Sequence, residues 1–157
     1  MIKNLFLSIL LSSFFLPSKA SYLLIPMDQE QTNHLKAYGI AFLALTKDIK
    51  VDWLLNYRGG SFLIKYYPNI ENECLIRGVL YNTIADAQST NILSSISQAE
   101  INQDVIRLEK EPKVAIYSPK NKQPWDDAVT LALKYAEIPY EIIYDVEVMN
   151  DLLPMYD

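Results

Sequence analysis

The chain has 157 residues, with 14 Lys+Arg against 19 Asp+Glu, a formal net charge of −5 and a single cysteine. Half of it is hydrophobic and 21% is charged. These figures exclude a disordered acidic tail, a disulfide scaffold and a strongly basic nucleic-acid binder, and the length suits one domain.

Lys3 precedes the uncharged apolar run Leu5–Leu16, which Pro17 ends before Ser18-Lys19-Ala20. A positive start, an apolar stretch and small residues at both recognition positions make residues 1–20 a secretory signal peptide, cut after Ala20. The run is shorter than the roughly 20 residues a bilayer span needs. The expectation is an exported protein, periplasmic or extracellular, with no transmembrane segment after cleavage. Residues 21–157 then form a single α/β domain.

Tyr22–Pro26 is a continuous apolar run that suits a buried strand. Asp28 and Gln31 have capping-box spacing. Leu35, Tyr38, Phe42 and Leu45 recur at helical spacing, which predicts a helix over Gln29–Leu45. Gly39 within it implies that a neighbouring element packs close. Val51–Tyr57 and Phe62–Tyr67 read as strands joined by the turn Arg58-Gly59-Gly60-Ser61, a hairpin. Cys74–Tyr81 reads as a fourth strand, with Cys74 a small buried side chain. Thr83–Ile96 has a helical pattern, and Gln98–Lys110 is either a helix or a polar connector.

Lys113–Ser118 is a buried strand, and Pro124 suits the first position of a helix carrying Trp125, Ala128, Val129, Ala132 and Ala136. Tyr140–Tyr144 is the next strand, and Glu147–Leu153 starts another helix. Strand–helix–strand here fits a parallel βαβ crossover, and Leu23–Tyr57 repeats the order. Together they predict a three-layer α/β fold with a mainly parallel sheet, flavodoxin-like or amidotransferase-like, with a β-hairpin insertion.

Ligands of open parallel sheets bind beyond the carboxyl ends of the strands. That places candidate ligand-binding residues at Ser118, Lys120, Lys122, Trp125, Asp126 and Asp127, with Asp28-Gln29-Glu30 on a second loop. Arg58, Gly59, Gly60 and Ser61 join them, because a guanidinium beside flexible backbone N–H groups can hold a carboxylate or another anion. Asp126 and Asp127 also suit a helix start through the macrodipole, and Trp125 suits packing on the sheet. No phosphate-binding loop of the G-x-x-x-x-G-K-[ST] or G-x-G-x-x-G type occurs. His34 is the only histidine, so any Ser-His-Asp or Cys-His arrangement would need it; its place predicts a solvated helix surface. No catalytic residue, metal site or cofactor is expected.

Three stretches carry a resemblance: Tyr22–Asp28 with His34–Gly39, Val51–Phe62, and Val114–Val129 continuing through Ala136–Tyr140. They resemble a family of exported bacterial proteins commonly labelled asparagine synthetase B. The resemblance implies a class I glutamine-amidotransferase-like domain, the N-terminal part of a longer protein truncated at Asp157, and by its label a glutamine-hydrolysing asparagine synthase. A class II amidotransferase uses an N-terminal Cys, whereas Met1 is followed by Ile2 and the expected mature start is Ser21. Its S-G-G-x-D-S loop is absent as well. The expectation is therefore a non-catalytic binding or scaffold domain, with a small molecule or an envelope protein as partner. The alternative is the N-terminal part of an amidotransferase-like or amide-hydrolysing enzyme whose catalytic residues lie beyond Asp157.

Overall fold

The computed structural model describes residues 21–98, 102–119 and 128–157. The expected signal peptide lies outside these residues, as do Lys120, Lys122, Trp125, Asp126 and Asp127. No helix of the described residues is long and apolar enough to cross a membrane.

In chain order the elements are β1 (Tyr22–Ile25), α1 (His34–Leu45), β2 (Val51–Leu55), β3 (Ser61–Lys65), α2 (Pro68–Arg77), β4 (Asn82–Ile84), α3 (Asp86–Ile96) and β5 (Asp104–Leu108). These are followed by β6 (Ala115–Tyr117), α4 (Ala128–Ala136), β7 (Glu141–Ile143) and α5 (Asp145–Met149). Five strands form one sheet in the order β4-β1-β3-β2-β5, and β6 and β7 form a second.

The expected mainly parallel sheet is contradicted. All four pairings in the five-stranded sheet are antiparallel, and among the described residues only β6 and β7 pair in parallel. The reason is the hairpin. β1 and β2 point the same way, as a strand–helix–strand unit should. But β3 folds back from β2 and inserts between them, so the two parallel strands never touch. The terminal βαβ unit does pair as expected, Ile116 opposite Ile142.

Period-two alternation divides the core between the two sheet faces. Leu23, Ile25, Val51, Phe62 and Ile64 face α1 and α2, where Ala37, Ile40, Ala41, Ala44, Ile70 and Cys74 are buried. Leu24, Leu54 and Leu63 face Ile96 of α3. Each fully buried aliphatic side chain contributes about 1.5–3 kcal/mol.

Three local expectations are corrected. Cys74 lies on α2, not in a strand. Pro68 stands in the first turn, Arg77 in the last, and Gly78 at φ 64° ends the helix, while Leu75 and Ile76 of the strand-like run are exposed. Gln98–Lys110 contains a strand, β5, whose Arg107 reaches Asp52 on β2 through two hydrogen bonds of 2.8 and 3.1 Å. Helix α1 starts at His34, capped by Asn33, whose side chain accepts from Lys36 N–H at 3.3 Å. Gln31 is buried and ties two loops instead, donating to the carbonyls of Pro26 and Leu80 and accepting from Leu80 N–H, each at 3.1 Å.

The implied close approach at Gly39 is present. A Cβ there would lie 1.9 Å from the Ala136 carbonyl oxygen, so α1 and the end of α4 touch backbone to backbone. Ion pairs brace this junction: Glu137 meets Lys36 at 2.5 Å and Arg77 at 2.9 Å. Glu137 also ends α4 in the left-handed region, φ 61°, where glycine is usual.

Candidate functional site

The β1–α1 loop and the β2–β3 turn come together at one end of the sheet. Met27 N–H donates to the Arg58 carbonyl at 3.0 Å. Gly59 has φ 81°, and a Cβ on it would sit 2.3 Å from the Met27 carbonyl oxygen, so the turn requires glycine there. Arg58 does hold carboxylates, but they are the chain's own. Its Nε donates to Asp28 at 2.7 Å and its Nη2 to Glu30 at 2.5 Å. The hydrogen bond from Arg58 holds the Asp28 carboxyl below its usual range, and Asp28 in turn raises the guanidinium. An external anion would have to displace both acids.

The other turn residues are structural. Gly60 accepts from Trp53 Nε1–H at 3.1 Å, and the buried Ser61 hydroxyl donates to the Tyr57 carbonyl at 3.0 Å. Ser118 is buried just after β6, its backbone N–H donating to the Ile143 carbonyl at 2.9 Å. It is not part of the Arg58 cluster. The remaining predicted site residues lie outside the described ones.

His34 and Cys74 have other occupations. His34 Nε2 lies 3.1 Å from the Met27 carbonyl oxygen and 3.2 Å from that of Asp28; carbonyls only accept, so this nitrogen carries the proton. Cys74 is fully buried, and desolvation pushes its thiol up to about 12, far from a nucleophilic thiolate. Among the described residues no group of three or more His, Cys, Asp or Glu could hold a metal ion.

Concavity lies elsewhere, between the five-stranded unit and the βαβ unit. An apolar hollow of about 210 Å³ is bounded by Tyr38, Ala41, Phe42 and Leu45 of α1, Trp53 and Phe62 of the hairpin, and Leu108, Pro112 and Ile138. The hairpin register builds its floor, because Trp53 is directly opposite Phe62. Their rings are 6.4 Å apart, and Tyr38 meets Phe62 edge-on at 5.5 Å. Sharing Phe42 and Pro112, a second hollow of about 450 Å³ adds Thr46, Lys110, Glu111, Lys113, Val114, Pro139, Tyr140 and Glu141. Lys113 is paired with Glu141 at 3.4 Å and lies over the Tyr156 ring at 4.7 Å. Lys110 has no ion-pair partner among the described residues.

The two hollows adjoin at Phe42 and Pro112; taken together as a cleft they offer an aromatic floor and a charged mouth, a composition suited to a small molecule. Sequence reasoning missed it. It lies at the start of β6 and β7, opposite the end that the parallel-sheet rule selects. The hairpin alone was legible; its register, which puts Trp53 and Phe62 on the face that α1 covers with Tyr38 and Phe42, was not.

No family model, no curated protein and no solved structure matches this chain.

Proposed function

We propose that this chain is an exported, non-catalytic binding module whose cleft takes a small amphiphile. The ligand's flat apolar body lies on Trp53, Phe62 and Tyr38, and an anionic head faces Lys110. The observation that carries the reading is the cleft itself: an aromatic floor left partly open, with Lys110, Glu111, Lys113 and Glu141 at its mouth and Lys110 without an ion-pair partner among the described residues. The engaged His34 and the buried, protonated Cys74 support the non-catalytic part. Export is supported by the signal-peptide pattern of the sequence alone.

The test is a fluorescence titration with 1-anilinonaphthalene-8-sulfonate, which has an aromatic body and one negative charge. Binding should saturate at one site and weaken about fivefold or more, roughly 1 kcal/mol, in both Tyr38→Ser and Lys110→Glu. Ile76→Ser, on the exposed side of α2, should leave it unchanged. Absence of saturable binding, or equal affinity in all three variants, would refute the cleft as the site.

A further inference from the structure

Exposed apolar side chains gather at one place. Val146, Met149, Leu152, Leu153 and Met155 are each more than a third exposed, Met149 as much as 84%, on α5, the 3-10 turn Leu153–Met155 and the link between them. Single exposed apolar residues are ordinary, whereas five so close together mark a contact surface. Two are methionines, whose flexible thioethers adapt to a partner's contour.

The charge of this segment is one-sided, with Lys113 alongside Tyr156 and already paired with Glu141. Residues 128–157 carry six acidic residues and one lysine, Lys134. Glu137 and Glu141 are paired with Lys36, Arg77 and Lys113. Asp145, Glu147 and Asp151, interleaved with the apolar side chains, have no ion-pair partner among the described residues. A second copy would set acid against acid, and an anionic bilayer would be repelled.

We propose that this surface docks a basic amphipathic helix of a partner protein. The helix's apolar stripe would cover Met149, Leu153 and Met155, and its lysines or arginines would meet Asp145, Glu147 and Asp151. The surface shares no lining residue with the cleft, so either reading can fail without the other.

The probe is a dye-labelled helix of leucine and lysine, about five turns or roughly 18 residues long, read by fluorescence anisotropy on the full chain. The same pattern with glutamate for lysine serves as its counterpart. The lysine peptide should bind, more weakly as salt rises, and the glutamate peptide should not. Met149→Ser and Met155→Ser should each weaken binding about tenfold, near 1.4 kcal/mol. Asp151→Asn should keep the fold, because asparagine tolerates the φ of 60° found there, and should weaken binding only at low salt, where the lost charge is unscreened. Ile76→Ser should have no effect, and circular dichroism of each variant reports folding. The proposal is overturned by equal binding of the glutamate peptide, by unchanged binding in both methionine variants, or by an equal loss in Ile76→Ser. It is also overturned by a dimer in sedimentation equilibrium that Met149→Ser dissociates, or by binding to phosphatidylcholine vesicles that Met149→Ser abolishes.

Discussion

The five-stranded unit and the βαβ unit solve the same problem to different degrees. In the first, both sheet faces are covered, and Leu23, Ile25, Val51, Leu54 and Ile64 are completely buried. In the second, two strands pair among the described residues. Ile116 and Ile143 are buried, but Tyr117, Val129, Leu131, Tyr135 and Val146 are all about half exposed. Parallel strands are normally buried on both faces in larger sheets. The small unit therefore depends on its junction with α1 and α2, and a cleft remains where the two meet.

Truncating the buried centre of each unit tests that difference most strongly. Ile64→Ala should cost about 2–5 kcal/mol and lower the whole denaturation midpoint, since Ile64 lies in the closed core. Ile143→Ala should fall near the lower end, about 2 kcal/mol, because a partly open site collapses more easily. Equal losses would deny that the units differ.

The junction comes next. Gly39→Ala places a methyl group where the Ala136 carbonyl oxygen already sits, so the helices must separate at about 1–3 kcal/mol. Hydrogen exchange should quicken in β6, α4 and β7 and stay slow in β1 and β3. Uniform quickening would show instead that the two units open together.

The smallest effect concerns pH. Lys36, and beyond it Arg77, hold the Glu137 carboxyl below its usual range. A lowered folded-state value means that this pair adds stability above the ordinary glutamate range and loses it as pH falls through the lowered value. Glu137→Gln should remove that part of the acid dependence while costing within about 1 kcal/mol at neutral pH, as the carboxylate is half exposed. An unchanged acid limb would mean the pair contributes nothing.

Much of the local structure was legible in the sequence. Gly59-Gly60 between apolar runs announced the hairpin, Gly39 a close neighbour, and Val114–Tyr144 a parallel βαβ unit. What periodicity could not convey was where β3 goes. Strand–helix–strand order is the same whether the strands touch or leave a gap for a third, and that gap turned the main sheet antiparallel. Cys74-Leu75-Ile76 misled because a short apolar run fits strand and helix alike; Pro68 and Gly78 were the better guides. The candidate site was less legible. Arg58 has the right chemistry for an anion, yet only the fold reveals that Asp28 and Glu30 already occupy it. The cleft joins residues from α1, the hairpin and the Lys110–Val114 connector, which no local pattern links.

The most direct test of the central claim is amide hydrogen exchange of the full chain with and without saturating 1-anilinonaphthalene-8-sulfonate. Ligand in the cleft should slow exchange at Lys110, Lys113, Tyr140 and Glu141 and at the carboxyl end of α1, leaving Arg58–Ser61 unchanged. Slowing at Arg58–Ser61 instead, or no slowing around the cleft, would contradict the account.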